Sequence, residues 1–402
     1  MPVPQDFMNL LITGGAGFIG RFVAKECLAQ GHAVRILDCY SKQIHGEKPV
    51  ESVNNELQRF VFAGRRRSDL SSLAFVKGDV CDAQALEQSL EGMEAVIHLA
   101  AETGTGQSMY ELSRYQRINI GGTALLVETL ASGKFPGIRR VILASSRAVY
   151  GEGQYSCARC GLVHPPARKI DDMQAGRFEP FCLRCGDKLI CVATPENAPR
   201  NPSSFYGLTK AVQEDILRMF SGANLSVFNL RFQNVFGEMQ SLRNPYTGII
   251  SIFSGLARAN QPIKIFEDGL ESRDFIHVED IARAVAACLI HPPREGAITL
   301  NLGSGLSTTV LKVAQTIVHL SGSQSPIEIT GEFRVGDIRH ARADISAAQG
   351  MLTFSSTITF EQGISRFLDW ASREEAPVST YAQSLSELTE RGLLLRRNQT
   401  TG

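Results

Sequence analysis

Tyr206 and Lys210 stand four residues apart, so on a helix they share one face. An ammonium beside a phenol favours the phenolate and lowers the phenol from its ordinary value near ~10. Such a phenol can take a proton from an alcohol near neutral pH. Ser146, delivered from an earlier segment, can bind the same alcohol oxygen. A Tyr-x-x-x-Lys spacing also arises by accident on helices, so its meaning depends on the rest of the chain. Between Ser146 and Tyr206 lies a second reactive set. Cys157, Cys160, Cys182 and Cys185 form the pattern C-x2-C-x21-C-x2-C, and a glycine, Gly161 or Gly186, follows each pair. That is the outline of two zinc knuckles, in which glycine lets backbone N–H groups turn toward sulfur. Four thiolates around one zinc make a closed tetrahedral site, structural and not catalytic. The alternative is four free buried cysteines. Cys191, a fifth thiol nearby, is expected only to pack. The segment 151–200 holds few apolar residues, so metal would supply much of its folding energy. Its basic and acidic residues nearly balance, which gives nucleic acid little to bind. Its place between Ser146 and Tyr206 suggests a lid over the active-site rim or a subunit contact.

The chain that positions these groups has 402 residues, enough for more than one structural unit. Its 41 Lys and Arg equal its 41 Asp and Glu, so bulk charge points to neither nucleic acid nor membrane. No apolar run approaches the ~20 residues that span a bilayer. Met1 to Asp6 lacks the pattern of a signal peptide, and nine cysteines without one suggest a reducing cytoplasm. Asn9 to Thr13 reads as a strand, Arg21 to Gln30 as a helix ended by Gly31, and Ala33 to Leu37 as a second strand closed by Asp38. Between the first two, Gly14, Gly17 and Gly20 permit a tight turn whose N–H groups can meet a pyrophosphate at a helix N-terminus. Asp38 lies where an acid would bind adenosine ribose hydroxyls, and it would repel the extra phosphate of NADP. Tyr40 to Ser72 reads as an irregular polar loop, with Arg65, Arg66 and Arg67 as a solvated basic run. Further strands are expected at Leu73 to Lys77, Ala95 to Leu99, Arg140 to Ala144 and Leu225 to Leu230. Helices are expected at Asn119 to Leu130, Val310 to Leu320 and Phe360 to Trp370. The alternation predicts an α/β fold with a doubly wound parallel sheet of Rossmann type, a smaller C-terminal substrate lobe and the inserted zinc-knuckle subdomain. Ligands of such sheets bind at the carboxyl ends of the strands.

Taken in order, Thr-Gly-Gly-Ala-Gly-Phe-Ile-Gly, Gly-Asp-Val, His-Leu-Ala-Ala, Asn119, Ser-Ser-x-x-Val-Tyr-Gly and Tyr-Gly-x-x-Lys resemble the extended short-chain dehydrogenase/reductase family of nucleotide-sugar epimerases and dehydratases. The resemblance covers residues 9 to about 370, apart from the cysteine insert and the loop at 40–72. It implies a catalytic trio of Ser146, Tyr206 and Lys210. It implies NAD lined by Gly14, Gly17, Phe18, Ile19, Gly20, Asp38, Asp79, Val80, Ala100, Ala101, Asn119 and Ser145, with Tyr206 and Lys210 also at the cofactor. Asn119 would support the Lys210 network through solvent or backbone. The nucleotide sugar would meet Thr103, Ser146 and Asn234, with Arg273 and Arg334 clamping its diphosphate and Arg339 a further candidate. The family usually carries an aromatic where Gln233 stands. His277 and His340 read as structural. The implied division is an NAD-binding core over 1–150, the insert over 151–200 and the core again over 201–232. A nucleotide-sugar lobe follows over 233–370, with 274–302 returning to the sheet, and then a tail over 371–402. The tail would cross to a partner subunit or be disordered. The implied assembly is a cytoplasmic homodimer.

The residues after Ser146 narrow the reaction. A 4,6-dehydratase of this family needs an Asp-Glu pair there, and this chain has Arg147 and Ala148, which do no acid/base work. The simplest remaining chemistry is oxidation at carbon 4, rotation of the keto sugar and return of hydride to the other face. Asn244 to Gly248, Arg273 to Val278 and the knuckles look most similar to dTDP-L-rhamnose 4-epimerases. A UDP-hexose or UDP-hexuronate 4-epimerase, or a 4-ketoreductase that releases its cofactor, stays open. So does an NAD-sensing scaffold that uses the zinc insert to hold a partner, although a scaffold has no need of the intact trio.

Overall fold

The computed structural model of the protein describes residues 7–63, 72–222, 224–244, 248–292, 296–375 and 381–398. Arg65 to Arg67 and residues 245–247 of the Asn244–Gly248 segment lie outside the described residues. Seven strands form one sheet: β1 (Asn9–Thr13), β2 (Ala33–Asp38), β3 (Leu73–Lys77), β4 (Ala95–His98), β5 (Arg140–Ser146), β6 (Ser226–Phe232) and β7 (Ala297–Leu302). Their order is β7-β6-β5-β4-β1-β2-β3, and every pairing is parallel. Both faces are covered, so the strands are apolar almost throughout. Side chains alternate between the two cores. Leu10, Ile12, Ile36, Ile97, Ile142 and Phe228 pack on one side, and Leu11, Leu37, Val96, Val141, Leu143 and Val227 on the other. The chain reverses direction across the sheet between β1 and β4, which places a crevice at their carboxyl ends.

The stretch expected to be an irregular loop is not one. It carries a short helix, Lys42–His45, and a three-turn helix, Val50–Val61. Val53, Leu57 and Val61 of the latter are buried, and Phe60 meets Phe22 edge-on at 4.9 Å. These apolar positions recur at helical spacing amid charged residues, so the helix is held by its one packed face.

The second half builds a smaller core from Phe236, Ile250, Phe253, Ile263, Phe275, Ile317 and Phe367. The helices Ile249–Arg258, Val310–Ser321 and Phe360–Arg373 enclose it. Thr359 and Gln362 form a reciprocal capping box that starts the last of these. The cysteine insert holds a three-stranded antiparallel sheet, Gly161–Val163, Tyr155–Cys157 and Ile190–Cys191 in that order. None of residues 151–200 lines the cleft described below, so the insert is not a lid on it. It is tied instead to the smaller lobe by buried charge. The Arg168 side chain, 3% exposed, bonds both oxygens of Glu267 at 2.8 and 2.9 Å and reaches Glu152 at 3.2 Å. Arg339, fully buried, bonds Glu179 of the insert together with Glu267 and Asp268.

The described part of the tail folds onto its own chain. It forms the helix Tyr381–Glu390 and the strand Leu394–Arg396, which pairs antiparallel with Glu332–Arg334. Leu388 and Leu394 are buried there, which neither disorder nor an arm to a partner would produce. Among the described residues no helix is long and apolar enough to cross a membrane.

Candidate active site

A cleft of ≈ 560 Å³ runs from the turn after β1, past the ends of β4 and β5, into the smaller lobe. Its floor begins at the glycine turn. Gly14 has φ +68°, and a β-carbon on it would sit 2.8 Å from the Ala100 nitrogen. A β-carbon on Gly20 would lie 2.5 Å from the Gly14 carbonyl oxygen. The turn therefore hugs both β4 and its own helix, Phe18–Ala29, and leaves backbone facing the cleft. Gly17, Phe18 and Ile19 complete that wall. Asp38 closes β2 beside it, accepting from the Ala16 and Tyr40 N–H groups at 3.0 and 2.8 Å. These bonds fix the carboxylate at the edge of the cleft. Asp79, Val80, Ala100, Ala101 and Thr103 border the same space, with Asp79 3.3 Å from Arg117.

Tyr206 and Lys210 project from the helix Phe205–Phe220, whose first turn is capped by Ser204. Ser146 ends β5 beside them and accepts from the Ala148 N–H at 3.1 Å, which folds Arg147–Tyr150 into a tight turn. Ser146 and Tyr206 border the same part of the cleft. Lys210 Nζ donates to the Ala144 carbonyl at 2.8 Å and stands 6.0 Å from the centre of the Tyr206 ring. The structure thus brings Ser146, Tyr206 and Lys210 together on one wall. Their electrostatics differ from the expectation drawn from spacing. Burial raises the Tyr206 phenol above its usual value, opposed by the Ser146 hydrogen bond and by the Arg147 charge. Lys210 is itself pushed down to about 7 by burial, against the pull of Glu214. An ammonium that has lost part of its charge is a weak lever on its neighbour.

Three other residues behave differently from their sequence-based roles. Asn119 is fully buried and does not line the cleft. Its amide accepts from the Glu102 N–H at 2.8 Å and donates to the Glu102 carbonyl and to Thr209, so it stitches the loop after β4 to the Tyr206 helix. Arg273 borders the cleft, yet both terminal nitrogens are already committed to the Ser272, Ile338 and Arg339 carbonyls and to Asp337. A guanidinium so engaged has no bidentate face left for a diphosphate. Arg339 is withdrawn altogether into the ion-pair cluster with Glu179, Glu267 and Asp268. Arg334 does border the cleft, 3.3 Å from Asp337 and over the Phe266 ring at 5.1 Å, with its Nε unbonded. Asn234 and Gln233 line the cleft with side-chain carbonyl oxygens that are buried and unbonded, ready for hydroxyl or N–H donors. His277 caps a helix and bonds Glu238 at 2.9 Å, and His340 bonds Ser272 and Glu179.

Sequence reasoning missed several residues here. Ser145 donates to Glu214 at 2.5 Å, and Glu214 is gripped twice by Arg231, which also bonds Tyr150. This buried chain ties β5, β6 and the Tyr206 helix together beneath the site. Glu271 lines the cleft with one oxygen unbonded, and burial followed by the Glu267 charge pushes it up to about 8. Arg147 lines the cleft as well. Glu214, Arg231 and Glu271 carry no local mark, and although Ser145 and Tyr150 stand within the Ser-Ser-x-x-Val-Tyr-Gly motif, their partners Glu214 and Arg231 lie far away in sequence.

The four insert cysteines converge. Their Sγ atoms all lie within 4.8 Å of one another. Gly161 and Gly186 have φ of +74° and +77°, and the Gly186 N–H closes the second turn on the Cys182 carbonyl at 2.8 Å. N–H groups of Arg184 and Cys185 draw the Cys182 thiol down to about 7. Cys191 lies beside this group and bonds only a backbone carbonyl.

The model of the NAD dependent epimerase/dehydratase family matches residues 10–164 and 190–303. The chain is 36% identical over 372 residues to a dTDP-L-rhamnose 4-epimerase of Burkholderia thailandensis, covering 92% of this chain and 96% of that protein. It is 27% identical to a UDP-glucose 4-epimerase of Mycolicibacterium smegmatis, over 90% of this chain and 98% of that one. Among solved structures, the UDP-glucose 4-epimerase of Thermotoga maritima with UDP-glucose is similar at 26% identity and a TM-score of 0.70, covering 91% and 99% of the two chains. MoeE5 in complex with UDP-glucuronic acid and NAD is similar at 27% identity and a TM-score of 0.69, with the same coverage.

Proposed function

Because the chain belongs to the NAD dependent epimerase/dehydratase family, we propose that it is an NAD-dependent nucleotide-sugar 4-epimerase acting on a dTDP-6-deoxyhexose such as dTDP-L-rhamnose. The observation that carries this reading is the trio of Ser146, Tyr206 and Lys210 on one wall of the cleft, with Arg147 and Ala148 where a dehydratase needs acids. The glycine turn, where a β-carbon at Gly14 or Gly20 would collide with backbone, fits the close approach of a pyrophosphate, and Asp38 fits a ribose. NAD supplies, when bound, the acceptor and then the donor of the carbon-4 hydride. Tyr206 takes the carbon-4 hydroxyl proton and later gives it back, and Ser146 holds the same oxygen. Lys210 fixes the catalytic helix to β5 through the Ala144 carbonyl. Gln233 and Asn234 offer acceptors to the sugar, and Arg334 offers a donor to its diphosphate. The test is incubation of purified protein with dTDP-L-rhamnose and NAD, with the products read by proton NMR. A carbon-4 epimer formed to equilibrium is the expected result. Absence of the epimer with this sugar and with UDP-glucose and UDP-glucuronate refutes the reading, and turnover of a UDP sugar alone moves the substrate to that class.

For the insert we propose one structural zinc held by Cys157, Cys160, Cys182 and Cys185. Four sulfurs ~2.3 Å from a tetrahedral zinc lie ~3.8 Å from one another, and the mutual spacing within 4.8 Å supports that fit. The all-sulfur donor set leaves no open position, so the metal would have no part in the sugar chemistry. We place the protein in a reducing cytoplasm, on the support of nine unpaired cysteines. A homodimer is proposed on the support of Leu208 and Met219, 44% and 75% exposed along one stripe of the Phe205–Phe220 helix. Light scattering of the purified protein checks it.

A further inference from the structure

The chain after β2 turns back over the acid that closes the strand. Tyr40 has φ +54°, and the short helix Lys42–His45 ends at Gly46, φ +65°, whose N–H bonds the Lys42 carbonyl at 2.9 Å. That reversal brings His45 Nε2 to 3.9 Å from Asp38 Oδ1. Both side chains are nearly sealed, 6% and 9% exposed, and both residues border the cleft. Each is held in place. The His45 ring lies 5.7 Å from that of Tyr40, whose hydroxyl donates to Asn54 of the helix Val50–Val61 at 2.6 Å. Asp38 accepts from the Ala16 N–H, and the Ala16 carbonyl is gripped in turn by Arg21 at 2.8 Å. Each oxygen of Asp38 accepts one backbone N–H, from Ala16 or Tyr40, and has room for a second donor.

The separation of 3.9 Å is too long for a direct hydrogen bond. Among the described residues the His45 ring makes no hydrogen bond to any other side chain. One hydroxyl oxygen can bridge the gap. With ordinary bonds of ~2.7 Å to the carboxylate and ~2.9 Å to the nitrogen, the two bonds meet at that oxygen near a right angle. Burial lowers His45 against the pull of Asp38, so at neutral pH the imidazole is uncharged and carries one N–H. The carboxylate can only accept, and it favours the tautomer whose Nε2–H faces it. We propose that His45 is a cofactor-binding residue that, with Asp38, clamps the 2′-hydroxyl of the adenosine ribose of NAD. The hydroxyl donates its proton to Asp38 Oδ1 and accepts from His45 Nε2–H. A 2′-phosphate is too large for this gap and brings negative charge to Asp38 where a proton is needed, so the clamp selects NAD over NADP by shape as well as by charge.

This contact rests on the reading of the glycine turn and Asp38 as the NAD site, and its test needs no sugar. The full-length protein, stripped of any cofactor it carries, is titrated by calorimetry with NAD and with 2′-deoxy-NAD, which lacks only the adenosine hydroxyl. His45→Phe keeps a ring against Tyr40 and removes the N–H. It should weaken NAD roughly tenfold, the scale of one hydrogen bond, and leave 2′-deoxy-NAD within about twofold of its wild-type affinity. Should His45→Phe fail to fold, His45→Leu removes the same N–H with a smaller side chain. An equal loss for both cofactors overturns the proposal, because it marks a loosened loop and not a lost hydroxyl contact. NAD binding unchanged by the substitution overturns it as well. If the wild type binds NAD yet turns over no nucleotide sugar, the epimerase reading falls and the titrations still decide for His45. A wild type that binds no NAD removes both.

Discussion

Arg168 offers the sharpest perturbation of the architecture. Its guanidinium is nearly sealed from water and binds Glu267 through two hydrogen bonds, Glu152 at 3.2 Å and the Asp337 carbonyl at 3.0 Å. Arg168→Met keeps an unbranched apolar stem and removes every one of these bonds. Glu267 retains Arg339, whereas Glu152 is left with the Arg339 N–H and the Tyr155 hydroxyl and no cation in contact. Breaking one side of a buried ion pair typically removes ~3–5 kcal/mol, and because Glu267 keeps a partner the lower end of that range is expected. Urea unfolding followed by circular dichroism measures it. A second effect reaches the cleft. Asp337, whose carbonyl Arg168 holds, pairs with Arg273 and Arg334 at the substrate lobe. KM for the nucleotide sugar should therefore rise several-fold while kcat changes by less than about twofold. The double variant Arg168→Met with Glu152→Gln should recover part of the stability, since the uncompensated carboxylate is gone. A loss below ~1 kcal/mol for the single variant would mean that these charges are solvated and that the insert is not a strut.

Tyr206→Phe removes only the hydroxyl, so the protein should keep its bound NAD, measured after acid release, and lose at least ~100-fold in epimerisation, the scale of one general acid/base. Near-normal turnover rejects the proton role. Cys182→Ser should lower zinc, measured by plasma emission, from about one per chain to near zero, and an unchanged metal content rejects the zinc site. Gly20→Ala places a β-carbon 2.5 Å from the Gly14 carbonyl oxygen, so cofactor content should collapse, and an unaltered content would show that the turn can shift. Glu271 has a carboxyl raised from 4.5 to about 8 in the folded protein. The folded state then holds its proton more tightly than the unfolded chain between those values, so this group stabilises fully below about 4.5 and its contribution fades as pH rises through about 8. Glu271→Gln should flatten the fall in unfolding free energy across that window, and a slope equal to that of the wild type contradicts the buried, proton-retaining carboxyl.

The sheet was readable because its strands are short apolar runs, β1 to β3 closed by Gly14, Asp38 and Gly78, and Leu73–Lys77 falls where the sequence placed it. The trio was readable because its spacing is local on one helix and one strand end. The helix Val50–Val61 escaped notice because polar residues surround its packed face, although Val53, Leu57 and Val61 do recur at helical spacing. The arginines were hardest. Arg273 and Arg339 lie in motifs associated with anions, but what they bind in the fold is set by the Glu179, Asp268 and Asp337 carboxylates and by backbone carbonyls, none fixed by local pattern. Asn119 was misplaced for the same reason, since its partner Thr209 is distant in the chain. Arg147 was read only for the acid it replaces, and its place on the cleft wall is set by the fold.

Lys210, held at about 7 inside a cleft that opens to solvent, carries at neutral pH a substantial fraction of free amine. A free amine is a nucleophile, while the many surface lysines, still protonated, are poor ones. Activated esters and aldehydes small enough to enter should therefore acylate or condense with this side chain ahead of the others, and a filled cleft should shield it. Selective covalent capture would turn the same burial that weakens its charge into a chemical handle for mapping occupancy in a crude extract.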